Sequence, residues 1–293
     1  WRVASRFVAG ESLDQAISVI KNLNSKGINV TLDHLGEHVS NAQEAEKATD
    51  DIIDALNAIQ ASGTRANVSI KLTQIGLALD PELCKANLMR IAQHAYSLNN
   101  FVRVDMEDSP VTQITLDLMR AVRAQVPNMG IVIQSYLYRS AEDIAGLMRD
   151  GIPVRLCKGA YLEPASVAFP KKADVDQNYD RLVDALLQGS LAHGKPKVSA
   201  DGRFPPIPAL ATHDEKRVAY AKEAAARLSL PNDALEFQML NGIRRDLQEN
   251  LVKEGYPVRV YVPYGTEWYP YFMRRLAERP ANVWFFIATF FRR

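Results

Sequence analysis

Apolar positions along this chain switch repeatedly between two periods. Over residues 12–26, Leu13, Ala16, Ile17, Ile20 and Leu23 recur at helical spacing, which predicts an amphipathic helix that Gly27 ends. The β-branched run 28–32 follows as a first strand. The alternation then continues with a polar, Ala-rich helix over 42–61, a strand over 67–72, and a helix over 81–98. That last helix begins on Pro81, where a missing N–H costs nothing. A strand over 101–106, a helix over 112–125 and a strand over 130–134 come next. Ser140 opens another helix as its expected cap, with Glu142 and Asp143 in the first turn. The second half reads as strands over 154–156, 208–211, 235–239 and 258–262. Helices over 174–193, from His213 or Asp214 to Leu228, over 244–254 and over 267–279 follow them in turn.

Eight uninterrupted strand–helix pairs predict an α/β fold, a (β/α)8 TIM-type barrel, distorted and with an extra N-terminal helix. Residues 1–293 read as one barrel domain, and a doubly wound open sheet is the runner-up. Two long loops stand out, 162–173 and 194–208; the second, rich in Pro and Gly, reads as a mobile lid.

Charge and cysteine content narrow the function classes. With 35 Lys+Arg against 34 Asp+Glu, the net charge of +1 argues against an extended nucleic-acid surface. The two cysteines cannot form a disulfide scaffold, which suits a reducing compartment. No run approaches the ~20 apolar residues that span a bilayer. The chain opens at Trp1 rather than Met, so the expectation is that its native N-terminus lies further upstream.

Most familiar motifs are absent. There is no G-x-G-x-x-G, G-x-S-x-G or H-E-x-x-H. Residues 189–195 fit G-x-x-x-x-G-K, but Pro196 replaces the Ser or Thr, and the stretch ends a helix instead of opening one. Asp33, His34, Glu37 and His38 form a polar cluster after the first strand; a divalent metal is one reading, and a polar strand-to-helix turn is preferred for want of a distant ligand set. His94 and His193 read as ordinary helix residues.

In a barrel, chemistry gathers where strands end on the carboxyl-terminal face. Lys71, Asp105, Gln134, Arg155, Lys158, Thr212, His213, Glu236, Gln238 and Tyr261 all fall on or just after strands, with Arg274 and Arg275 on the last helix. For any one charged strand residue, a structural ion pair inside the barrel is an equal reading. Taken together, the cations suit a carboxylate substrate, and Tyr161, Tyr261, Tyr264, Trp268 and Tyr271 suit an apolar ring or cofactor.

These segments resemble the proline dehydrogenase family in its single-function bacterial form. The resemblance rests on RFVAGE (6–11), LDHLGE (32–37), SIKLTQIGL (69–77), VRVDMEDS (102–109), VIQSYLYRS (132–140), VRLCKGAYLEP (154–164), ATHD (211–214), EFQML (236–240) and YVPYGTEWYPYFMRRLAERPANVWF (261–285), in this order. It implies a barrel that holds FAD noncovalently and oxidises L-proline to Δ1-pyrroline-5-carboxylate, by hydride transfer from C5 to flavin N5. Electrons then pass to a quinone, with a cytoplasmic protein in peripheral contact with the inner face of the cytoplasmic membrane. By position, Lys71, Arg274 and Arg275 would hold the carboxylate, and Tyr161, Leu240, Tyr261 and Tyr271 would shape the ring pocket. Glu278 would pair with Arg275, and Arg155 would sit beside N5 with Asp105 close by. Val104, Gln134, Lys158, Gly159, Ala160, Thr212, His213 and Glu236 match cofactor-binding segments. One departure is Asn241, where an aromatic residue is common. The aromatic stretch 283–291, followed by Arg292 and Arg293, reads as packing ahead of membrane contact.

Three other readings remain on the residues alone. They are a Schiff-base aldolase using Lys71 or Lys158, a metal-dependent hydrolase using the His34 and His38 cluster, and a non-catalytic binding barrel.

Overall fold

Eight parallel strands close on themselves in sequential order, β1 pairing with both β2 and β8. The protein is seen here as a computed structural model that describes residues 4–36 and 39–277. The strands are β1 Asn29–His34, β2 Ala66–Ile70, β3 Val102–Val104, β4 Met129–Gln134, β5 Val154–Cys157, β6 Pro208–Ala211, β7 Glu236–Leu240 and β8 Val258–Tyr264. Helix α1 (Leu13–Ser25) precedes β1 as the extra N-terminal element. Behind the strands run α2 Ala42–Ser62, α3 Pro81–Ser97, α4 Thr112–Arg123, α5 Ser140–Arg149, α6 Lys172–Ala192, α7 Glu215–Arg227, α8 Arg245–Lys253 and α9 Trp268–Ala277. Closure between β1 and β8 excludes the open sheet.

Local chemistry sets the helix ends. Ser12 and Gln15 form a reciprocal capping box on α1, and Asn41, Asp80 and Asp214 cap α2, α3 and α7 through their side chains. Ser140 does not cap α5. Its hydroxyl donates to the carbonyls of Gln134 and Leu137, and Arg139 occupies the cap position with no side-chain bond. A serine that donates its proton to β4 ties strand to helix, and that role outcompetes capping here.

The strands divide their side chains between two environments. Outward positions such as Val30, Leu32, Val68, Ile70, Val102 and Val104 are buried against the helices in one continuous core. Burying each such aliphatic side chain contributes about 1.5–3 kcal/mol. Inward positions are polar to an unusual degree for a barrel: Thr31, Asn67, Ser69, Arg103, Arg155, Glu236, Gln238 and Arg259 are all buried.

The loop 194–208 joins α6 to β6, so it lies at the amino-terminal end of the barrel, away from the mouth. It seals that end: Asn67 donates to the Arg203 carbonyl at 2.7 Å, Arg259 donates to the Gly202 carbonyl at 2.7 Å, and Phe204 meets Phe101 edge-on. The expected lid is therefore a floor. Gly202, at φ +69°, makes the turn that brings its carbonyl to Arg259.

Candidate active site

The carboxyl-terminal mouth opens into a cavity of about 580 Å³, inside the usual range for a small-molecule site. At its base Arg155, on β5, is held by groups from four other strand ends. Nη1 donates to Asp105 Oδ1 at 2.9 Å and to Ser69 Oγ at 3.1 Å, Nε donates to Gln238 Oε1 at 2.5 Å, and Nη2 reaches Thr31 Oγ1 at 3.4 Å. Asp105 also accepts from the Ser69 hydroxyl at 2.5 Å and from the Tyr261 hydroxyl at 2.8 Å, and the guanidinium lies 5.4 Å from the Tyr261 ring centroid. One carboxylate thus positions both a cation and an aromatic wall.

Lys71 follows β2. Its Nζ lies 3.3 Å from Asp33 Oδ2, 3.4 Å from the Tyr261 hydroxyl and 3.9 Å from Asp105 Oδ2. Burial by itself disfavours the ammonium, but Asp33 and Asp105 outweigh it and hold the Lys71 pKa above its ordinary value. A Schiff-base nucleophile needs the neutral amine, so this setting works against the aldolase reading. The Tyr261 hydroxyl is pushed well above its usual range, by burial first and then by Asp105 and Asp33.

The opposite wall comes from the β5–α6 and β6–α7 connections. Lys158 lies between Asp176 and Asp214, the latter at 2.9 Å. Gly159 has φ +129°, and a Cβ there would fall 2.5 Å from the Tyr136 ring, so the backbone reaches the cavity only because no side chain is present. Gln134 is held by the Glu107 carbonyl at 2.8 Å, and His213 Nε2 accepts from the Leu240 N–H at 3.0 Å. That bond leaves His213 with its acceptor nitrogen engaged.

Most of the residues expected here do converge. Lys71, Asp105, Gln134, Arg155, Lys158, Gly159, Ala160, Tyr161, Thr212, His213, Leu240, Tyr261 and Tyr271 all line the cavity. Two do not reach it with their side chains. Val104 points outward into the helix layer, one residue out of phase with Arg103 and Asp105. Glu236 is sealed a layer deeper, paired with Arg259 at 2.8 Å. The side chains of Arg274 and Arg275, and all of Glu278, lie outside the described residues, as do Glu37, His38 and the stretch 283–293. Among the described residues, no group of three His, Cys, Asp or Glu is arranged to hold a metal ion. His34 packs against the Tyr264 ring at 5.0 Å, with its carbonyl accepting from Gln74.

The comparisons with known proteins decide the family. The proline dehydrogenase family model matches residues 16–287. The chain belongs to the proline dehydrogenase family. It is 41% identical over 283 residues to proline dehydrogenase 2 of Bacillus subtilis (strain 168), covering 96% of this chain and 88% of that one. It is 42% identical over 292 residues to the proline dehydrogenase of Deinococcus radiodurans, covering 98% and 89%. Among solved structures, proline utilization A (PutA) of Bdellovibrio bacteriovorus, inactivated by N-propargylglycine, superposes with a TM-score of 0.85 at 27% identity. That match covers 94% of this chain and only 32% of the larger PutA chain.

Sequence reasoning named Gln238 on its strand but gave it no role; it shares the inward phase of Glu236 and Leu240 and lines the cavity. Two other contributors had no such reading. Asp33 was read as part of a turn, yet it is a fully buried partner of Lys71. Lys172 lines the cavity from the start of α6, where nothing in the sequence distinguishes it from an exposed helix lysine.

Proposed function

We propose that this chain oxidises L-proline to Δ1-pyrroline-5-carboxylate with FAD as its cofactor, and that the electrons pass on to a quinone. The coarser statement, an oxidoreductase acting on proline at the first step of proline catabolism, follows from family membership. The observation that carries the finer reading is the grouping of Lys71, Asp105, Arg155 and Tyr261 in one cavity wall, opposite the Lys158–Gly159–Ala160 segment.

The cavity's residues fit a flavin. Arg155 supplies a cation at its base, Lys158 and Lys172 supply cations at the far side, and Gly159 leaves backbone open between them. Gln134, Arg155, Lys158, Gly159, Ala160, Thr212 and His213 would hold the group. When bound, it supplies the hydride acceptor for the carbon next to the ring nitrogen.

The chain's own residues bind and orient. Lys71, with Arg274 and Arg275 from α9, takes the substrate carboxylate by charge-assisted bonds. By resemblance alone, Glu278 would pair with Arg275. Tyr161, Leu240, Tyr261 and Tyr271 enclose the pyrrolidine ring and exclude water. Fixing both ends of a small ring converts a loose encounter into one reactive orientation. Arg155 presents fixed positive charge where negative charge develops during transfer, and Asp105 keeps that guanidinium in place.

A lipid-soluble quinone is reached at a bilayer surface, so we place the protein on the cytoplasmic side in peripheral contact with the membrane. Among the described residues, no helix is long and apolar enough to cross one.

The test is proline-dependent dye reduction by the purified protein together with its visible absorption spectrum. The expected result is a flavin spectrum that bleaches on adding L-proline, with dye reduced in step. A protein that cannot be reconstituted with FAD, or a flavin-loaded protein indifferent to proline, overturns the reading.

A further inference from the structure

Asp33 is a buried carboxylate at the mouth with no share of the cavity wall. It lies one residue before the end of β1, fully buried, and both of its oxygens lie 3.3–3.4 Å from Lys71 Nζ. Lys71 does line the cavity. The charged and titratable groups around the pair come from several strands: Asp105 after β3, Tyr261 and Tyr264 on β8, and His34 beside Asp33 itself. Lys71 also feels Glu107 and Tyr161.

We propose that Asp33 is a positioning residue for the substrate carboxylate: it holds the Lys71 side chain charged and turned into the cavity, and acts on the ligand chiefly through Lys71. The inference rests on the reading above that a proline-like carboxylate binds here. The geometry supports it in two ways. A flexible lysine stem has many rotamers, and two carboxylate oxygens behind Nζ select the one that faces Tyr261 and the cavity. An ammonium taken out of water stays charged only with a counter-ion close by, and Asp33 lies nearer than Asp105, which is 3.9 Å away and already shared by Arg155 and Tyr261. Burial is the largest influence on Lys71, and Asp33 is the first of the charges that oppose it. Without Asp33, burial gains the upper hand and the lysine gives up its proton at lower pH.

The test measures binding of cyclopentanecarboxylate to the flavin-loaded protein by calorimetry across pH. This ring carboxylate has no amine, so its basic limb reports the protein and not the ligand. The wild type binds it in competition with proline, with affinity level up to the ordinary lysine range near about 10.4. Asp33→Asn binds it about tenfold more weakly at neutral pH and acquires a basic limb about one unit or more below that range. Asp33→Glu, which keeps the charge, restores most of the affinity and removes the limb. In a Lys71→Met background, Asp33→Asn changes the affinity by less than about twofold, because the residue through which it acts is gone.

An Asp33→Asn protein with a level profile, or one whose loss is as large without Lys71 as with it, overturns the proposal and leaves the proline reading standing. A wild type that binds neither proline nor its ring analogue overturns both. Should Asp33→Asn fail to fold alone, the Lys71→Met pair still decides, since that double variant leaves no buried ammonium unpaired. A double variant that also fails to fold shows a structural role independent of Lys71 and overturns the proposal.

Discussion

Two ion-paired layers sit one above the other inside the barrel, built from the same residue types and serving different ends. In the lower layer Arg259 clasps Glu236 through Nε at 2.8 Å and Nη2 at 3.0 Å, and donates two further bonds to the carbonyls of Val30 and Gly202. Arg103 lies beside them, in space that Gly130 leaves open: a Cβ there would come 2.6 Å from the guanidinium. In the upper layer Arg155 is as thoroughly bonded, but its partner Asp105 and the neighbouring Lys71 keep 13% and 16% of their side chains accessible, facing the cavity. Gln238 joins the layers, donating to Glu236 at 2.6 Å and accepting from Arg155. A buried arginine–carboxylate pair is therefore no sign of a site by itself. What distinguishes the upper pair is an open face with a third and a fourth charge beside it.

The largest test of that contrast is in the sealed layer. Glu236→Gln leaves the Arg259 charge buried without its counter-ion, and such a loss costs about 3–5 kcal/mol of stability. Chemical denaturation should show it, while the KM for proline moves less than about twofold. A KM change with little loss of stability would mean that the lower layer reaches the ligand after all.

Next comes the open layer. Arg155→Met should lower kcat by about 100- to 1000-fold, the range for removing one preorganised charge contact in a transition state. Its unfolding midpoint should move less than that of Glu236→Gln, because Asp105 still faces Tyr261 and Lys71. If the two variants lose stability equally and kcat is spared, the layers do not differ in kind.

A smaller effect is expected at the wall. Tyr261→Ser removes the ring beside Arg155 and the hydroxyl that bonds Asp105. It should cost about tenfold in kcat/KM for proline, since one such contact is worth ~1–2 kcal/mol, and narrow the gap between proline and ring-hydroxylated prolines. Measuring both substrates on one preparation checks it; an unmoved ratio removes Tyr261 from the ring pocket.

The same contrast explains what could be read in advance. Element order and barrel closure were legible because period-2 and period-3.6 runs alternate without a break, and the strand ends then named Lys71, Asp105, Arg155 and Tyr261. Depth along a strand was not legible. Glu236 and Gln238 share one face, and only the register of β7 against β8 shows which lies beneath the cavity floor. Nor was the end of the barrel a loop belongs to weighed: 194–208 was read by its composition as a lid, although a helix-to-strand loop closes the opposite end. Asp33 was hidden for another reason. Its partner is 38 residues away, just after β2, and no local pattern records a contact across strands.

Cys157 gives the finest test of how open the upper layer is. It ends β5 two residues after Arg155 and lines the cavity, so position alone suggests a reactive thiol. Burial nevertheless pushes its pKa up to about 12, and the nearby Arg155 only partly opposes that. At pH 8 the thiolate fraction is then roughly a thousandth or less of that of an ordinary cysteine with a pKa near about 8.5. Alkylation at pH 8, mapped by mass spectrometry, should leave Cys157 unmodified over a time that fully labels an exposed thiol, in the presence or absence of proline. Rapid labelling would mean that the field of Arg155 outweighs burial at the cavity wall. The upper layer would then be wetter and more cationic than its hydrogen bonds imply, and the contrast with the Glu236–Arg259 layer would be sharper still.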